Sequence, residues 1–235
     1  MRDACGRQLG PAEVPFSNLR FQFVREIPMA DARPTIFVVD DDASVRDAIS
    51  NLLESVGLRA KVFESTEAFW KAPRPNTPSC LVLDVRLPGV NGLDFQEQLA
   101  KAKVSIPIIF ITAHGDVPMT SRAMKAGAIE FLMKPFQKED LLAAVRNGLE
   151  RDRIHRDEQA EVSALRLRVD QLTSREREVM DLVVTGLINK QIGAQLGLSE
   201  VTVKIHRGRV MQKMEAASLA DLVRMSDKLK PRERR

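Results

Sequence analysis

A chain of 235 residues with 44% hydrophobic and 29% charged residues has room for two small domains and sits near the globular average, away from the disordered and membrane classes. No uninterrupted apolar run approaches the ~18 residues that cross a bilayer, and no apolar signal core opens the chain, so a cytoplasmic location is expected. The formal charge of +4 is unevenly placed: residues 34–150 hold 13 Lys+Arg against 15 Asp+Glu, a net −2, whereas residues 151–235 hold 18 against 13, a net +5, which pairs an acidic module with one suited to a polyanion.

Residues 1–33 show no sustained period and carry prolines at 11, 15 and 28. They read as a disordered extension, and the internal Met29 offers a second start ahead of a complete two-domain chain. From Thr35, short apolar runs alternate with amphipathic segments, the pattern of βα units around a parallel sheet. Strands are expected at 35–39, 59–63, 80–83, 108–111 and 130–132, and helices at 43–56, 66–71, 92–102, 117–126 and 138–151. The first, third and fourth strands are apolar enough to be buried on both faces. Cys80 opens one of them and Cys5 is remote from it, so no disulfide framework is expected. Gly57 and Gly127 fall where helix-ending glycines belong.

Residues 150–172 are rich in charge, with Val162, Leu165, Val169 and Leu172 at helical spacing. This stretch reads as a short helical linker whose apolar stripe packs on a neighbouring domain rather than in a two-stranded coil. Four short helices follow, at 174–185, 190–196, 200–214 and 219–227. Thr173 with Glu176 forms a capping box, Gly186 and Gly197 follow helix ends, and Ser199 is placed to cap the third of these helices.

The strand tips carry the chemistry. Strand one ends in Asp40-Asp41-Asp42, strand three in Asp84, strand four in Thr112 and strand five in Lys134-Pro135. In a doubly wound, flavodoxin-like sheet of order 2-1-3-4-5, ligands bind outside the carboxyl ends where the strand order reverses, so Asp40, Asp41 and Asp84 should converge. Crowded carboxylates repel one another unless a cation intervenes, and hard oxygen ligands favour Mg²⁺. Such a pocket suits phosphoryl transfer, with Asp84 as the nucleophile, Lys134 as a point charge and Thr112 as a hydroxyl donor. Asp42 and Asp94 read as helix-start acids, His114 as a loop residue, and Phe69 and Trp70 as part of a helix covering the sheet.

VVDDD at the first strand, LVLDVRLPGVNGLDF around Asp84, IIFITAHGD after the fourth strand and AIEFLMKPF at the fifth resemble the receiver domain of two-component response regulators across residues 35–150. The resemblance implies transfer from a phosphohistidine on a sensor histidine kinase, with Asp41, Asp84 and the Arg86 backbone carbonyl holding Mg²⁺ and Asp40 assisting. Thr112 and Phe131 occupy the family's switch positions, and Phe131 has no hydroxyl, so a switch here works by packing.

In the second half, 190–196 and 200–214 are joined through Gly197-Leu198, which is helix-turn-helix spacing. Val203, Val210 and Met214 form a core stripe, leaving a basic side that fits a major groove. The run LTSREREVMDLVVTGLINKQIGAQLGLSEVTVKIHRGRVMQKM resembles the LuxR/NarL-type helix-turn-helix domain, and receiver plus this domain is similar to the FixJ-like branch. By that resemblance Lys204, Ile205 and Gly208 face bases, and Thr202, Arg207 and Arg209 meet phosphates. Gly193 costs about 1 kcal/mol against alanine in a helix, which a close helix crossing would explain. Residues 228–235 read as a solvated basic tail that adds salt-sensitive affinity for DNA.

Together the two resemblances imply a transcriptional regulator. Phosphorylation of Asp84 would promote a homodimer and binding to double-stranded DNA, the helix-turn-helix being inhibited or monomeric until then, and RNA polymerase is a further candidate partner. Two rivals stand beside this reading. An aspartyl-phosphate phosphatase would place a second acid two residues after the nucleophile, where this chain has Arg86. A constitutive DNA-binding regulator would use its receiver only to sense a partner.

Overall fold

Alternation at period two fixes how the first apolar run sits in the molecule. In β1 (Thr35–Val39), Ile36 and Val38 point to one face and Phe37 and Val39 to the other, and all four are fully buried. A strand buried on both sides needs a helical layer on each. The computed structural model, which describes residues 33–230, supplies both layers. The extension expected at 1–33 lies outside the described residues save for Arg33, and so do Cys5 and the last five residues of the basic tail.

β1, β2 (Arg59–Phe63), β3 (Ser79–Asp84), β4 (Ile108–Thr112) and β5 (Glu130–Met133) form one parallel sheet of order β2-β1-β3-β4-β5. On one face Phe37, Leu81, Leu83 and Phe110 meet α2 (Thr66–Lys71), α3 (Gly92–Lys101) and α4 (Val117–Lys125) through Phe69, Leu99 and Ala123. On the other, Ile36, Val82 and Ile109 meet α1 (Ala43–Ser55) and α5 (Lys138–Asp170) through Leu53, Leu141 and Val145. Each such side chain contributes roughly 1.5–3 kcal/mol on burial. Gly57 and Gly127 close their helices with φ of +77° and +92°, a conformation cheap only for glycine.

The largest departure from the expected elements is α5. The fifth helix and the linker are one element of 33 residues, because no proline interrupts it and its one glycine has a packing role. A Cβ on Gly148 would lie 3.1 Å from Cys80 Cβ, so the glycine lets the helix lie close against β3. Farther along, the buried Asp152 accepts from the Ser79 amide at 2.8 Å and from Arg156 Nε at 2.5 Å. That pair ties the helix to the start of β3 as it leaves the sheet.

Beyond Asp152 the expected apolar stripe packs on the C-terminal helices α6 (Ser174–Val184), α7 (Asn189–Leu196), α8 (Glu200–Met214) and α9 (Leu219–Leu229). Leu165 and Leu172 are buried with Val179, Ile192, Val203, Val210, Met214 and Leu222. The capping box at Thr173 and Glu176 is formed, and Ser199 Oγ accepts from the Thr202 amide at 3.1 Å. Glu176 is buried and also ion-paired to Lys213 Nζ at 2.6 Å, so one carboxylate caps α6 and holds α8. No helix among the described residues is long and apolar enough to cross a membrane.

Gly193 has a cause other than a helix crossing. A Cβ there would stand 2.6 Å from the Leu198 carbonyl oxygen, and the Gly193 carbonyl accepts from the Leu198 amide at 2.9 Å. The α7–α8 turn folds back onto this residue, and only a missing side chain admits it.

Candidate functional site

At the carboxyl edge where the sheet order reverses, β1 and β3 deliver Asp40 and Asp84 side by side, with Asp41 next in the chain. One ligand oxygen from each of Asp40, Asp41 and Asp84 lies within 4.8 Å of the others. Asp40 is fully buried, Asp84 nearly so, and Asp41 is exposed. Lys134, at the end of β5, places Nζ 2.5 Å from Asp40 Oδ2 and 3.2 Å from Asp84 Oδ2.

Backbone amides fix the carboxylates. The Asp42 amide donates to Asp40 Oδ1 at 3.0 Å, and the Arg86 amide to Asp84 Oδ1 at 3.2 Å. Arg46 of α1 donates to the carbonyls of Asp40 and Asp41 at 2.7 and 2.9 Å, a clamp whose only trace in the sequence is its position one turn into the helix. A Cβ on Gly92 would stand 2.4 Å from the Asp84 carbonyl oxygen, so this glycine sets how closely α3 begins behind the nucleophile candidate.

Burial pushes the Asp84 carboxyl above its usual range, and the charge of Lys134 with the Arg86 amide opposes that only in part. For Lys134 burial works against the ammonium, but the hydrogen bond from Lys134 to Asp40 and the charges of Asp40 and Asp84 outweigh it and hold the group above the usual lysine value. Lys134 therefore stays charged at neutral pH. Three carboxylates facing one ammonium leave two net negative charges, and an all-oxygen donor set carrying that charge fits a divalent hard cation such as Mg²⁺.

Thr112 is fully buried at the end of β4, and its hydroxyl donates to the His114 carbonyl at 3.1 Å. Phe131 is half-buried beside Phe110, ring centroids 6.2 Å apart. Gly115 connects the two switch candidates: a Cβ on it would lie 2.8 Å from Phe131 Cε1 and 3.3 Å from Thr112 Cγ2. Asp42 caps α1, accepting from the Ser44 amide at 2.8 Å. Asp94 sits in the first turn of α3 and pairs with Arg122 of α4 at 2.8 Å. Cys80 is sealed in the core, and burial pushes its thiol up to about 12, which disfavours the reactive thiolate.

In the C-terminal half, α7 and α8 meet at Gly197, which has φ +65°. Lys204, Ile205, Gly208 and Arg209 are exposed, while Val203, Val210 and Met214 turn inward. Thr202 is half-buried, its hydroxyl 2.8 Å from the Ser199 hydroxyl. Arg207 is also half-buried and donates to Asn189 Oδ1 at 3.0 Å, so it locks α8 to the start of α7. Sequence reasoning missed the roles of Arg46, Gly115 and Asp152 and the Arg207–Asn189 bond, which rest on contacts that spacing does not encode.

Comparisons with known proteins match the two halves of the chain to two families. The family described as response regulator receiver domain matches residues 36–146, and that of bacterial regulatory proteins, luxR family, matches residues 170–226. Nodulation protein W of Bradyrhizobium diazoefficiens is 54% identical over 200 residues, covering 85% of this chain and 88% of its own. Transcriptional regulatory protein FixJ of Azorhizobium caulinodans is 42% identical, covering 81% and 90%. Among solved structures, the response regulator StyR superposes with a TM-score of 0.74 at 49% identity, covering 83% of this chain and 99% of StyR.

Proposed function

The chain belongs to the response regulators that join a receiver to a LuxR-family DNA-binding domain, transcriptional regulators by family, and from that premise we propose that Asp84 is its phosphoacceptor. The observation that carries this is Lys134 Nζ set between Asp40 and Asp84 at 2.5 and 3.2 Å, with Asp41 completing the acidic cluster. An Asp84 oxygen attacks the phosphorus of a phosphohistidine on a sensor kinase. The new P–O bond forms as the P–N bond breaks, and the imidazole leaves with a proton from solvent.

Asp40, Asp41, Asp84 and the Arg86 carbonyl are the residues that would hold Mg²⁺, which when bound neutralises charge on the phosphoryl oxygens. Lys134 would exchange its bond to Asp84 for one to a phosphoryl oxygen. Thr112 would give up the His114 carbonyl and turn its hydroxyl toward another, opening the space into which Phe131 packs. The resulting change on α4, β5 and α5 would favour a homodimer, whose twofold axis matches paired half-sites on DNA. RNA polymerase is a further partner of that complex.

The exposed outward face of α8 favours control by dimerisation over control by covering the helix, since Ile205 is 51% exposed among the described residues. Arg86, standing where a phosphatase needs a second acid, supports a receiver that accepts a phosphoryl group and turns over slowly. Intact-mass measurement after incubation with acetyl phosphate and Mg²⁺ tests the assignment. One added phosphate is expected on the wild type, with none on Asp84→Asn and none when Mg²⁺ is chelated. A phosphate retained by Asp84→Asn would overturn it.

A further inference from the structure

We propose that Val201 and Ile205 of α8 read thymine, each seating against a C5-methyl group in the major groove. The proposal rests on the reading of α8 as the helix that enters DNA and adds what that helix selects. Val201 is 69% exposed and Ile205 51% exposed. They stand four residues apart in the first two turns, so their side chains are neighbours on one face. A lone exposed aliphatic side chain is ordinary, but a pair of β-branched residues has no local reason to be here. β-branching lowers helix propensity, and the core of this domain is served by Val203, Val210 and Met214 on the opposite side.

The surroundings narrow the ligand. Lys204 and Arg209 are exposed beside the pair, and a Cβ on Gly208 would meet nothing within 4 Å, so the apolar strip ends after two turns among cationic side chains. A strip of that kind fits a polyanion that offers a small apolar feature. In the major groove the only such feature is the thymine methyl, and the N-terminal turns of a recognition helix are the part that meets base edges. Four residues of helix rise about 6 Å, close to two base-pair steps at ~3.4 Å each. The two thymines should therefore lie within two steps of each other in each half-site.

The test begins by selecting bound sequences from random duplex DNA with the full chain, with and without acetyl phosphate. Each thymine of the best site is then replaced singly by uracil, which removes only the methyl group. Wild type should lose about fourfold in affinity at two positions per half-site and nothing at other thymines. Val201→Ala should be indifferent to uracil at one of those positions and Ile205→Ala at the other. Selected half-sites without thymine, a wild type indifferent to every uracil, or an undiminished uracil effect in both variants would each overturn the proposal. Lys204→Ala and Arg209→Ala separate the two failures. If they weaken binding while uracil is silent, thymine reading falls and groove entry stands; if they change nothing, groove entry falls with it.

Discussion

Lys134 Nζ lies 3.2 Å from Asp84 Oδ2 while holding Asp40 at 2.5 Å, so one ammonium keeps two buried carboxylates together. Removing it with Lys134→Ala leaves a like-charged pair, one member of which is fully buried. Breaking a buried pair from one side costs about 3 kcal/mol or more. In chelator the variant should unfold at lower urea than wild type, and Mg²⁺ should raise the midpoint of the variant by more than it raises that of wild type. Equal gains from Mg²⁺ would show that the ammonium and the metal do not share the same carboxylates.

The pH dependence of Asp84 has an unusual sign for a carboxylate. Burial raises its folded value above the ordinary 3.8, so folding favours the protonated form. Its contribution to stability is present at low pH and is lost as pH rises through the raised folded value. In the absence of Mg²⁺, Asp84→Asn should be more stable than wild type at neutral pH, with the gap closing as pH falls through the raised value towards 3.8. Urea unfolding across that range reads the effect, and a variant less stable than wild type at neutral pH would contradict it.

Glu176 behaves the opposite way. Its bonds from Lys213 and the Thr173 amide lower its carboxyl from 4.5 to about 2. A depressed acid contributes stability above its unfolded value and loses it as pH falls through the folded one. Glu176→Gln should cost about 1–2 kcal/mol at neutral pH, shrinking below pH 4.5 and vanishing near pH 2. A pH-independent difference would mean that the carboxylate charge is idle.

Helix propensity alone says that Gly193→Ala should stabilise α7 by about 1 kcal/mol. The Leu198 carbonyl, 2.6 Å from the added Cβ, is backbone and cannot step aside cheaply, so the clash wins. The expected outcome is a loss of about 1–3 kcal/mol together with weaker DNA binding, because the turn that aims α8 must shift. Higher thermal stability in the variant would refute the close approach.

Much of this was legible from residues. The strands were clear because burial on both faces leaves runs such as Ile36 to Val39 without polar interruption, and the acidic tips followed once parallel topology was set. Boundaries moved by a residue or two, as at β3, which takes in Ser79 and Asp84. Asp152 was hidden because an acid in a charge-rich helix resembles any solvated acid; only its four-residue spacing to Arg156 hinted at the pair. Gly193 was recognised as costly, yet its reason lay in a turn folding back, a relation that spacing does not encode. Gly115 was silent because what matters there is the space its neighbours Phe131 and Thr112 occupy.

The central claim is that modification of Asp84 governs DNA binding by α8. Gel-shift titration of a selected DNA site by wild type and Asp84→Asn, each with and without acetyl phosphate, tests it most directly. Wild type should gain affinity with the phosphodonor, while the variant stays at the unstimulated level in both conditions. Equal affinity in all four arms, or a gain that survives in Asp84→Asn, would contradict the account.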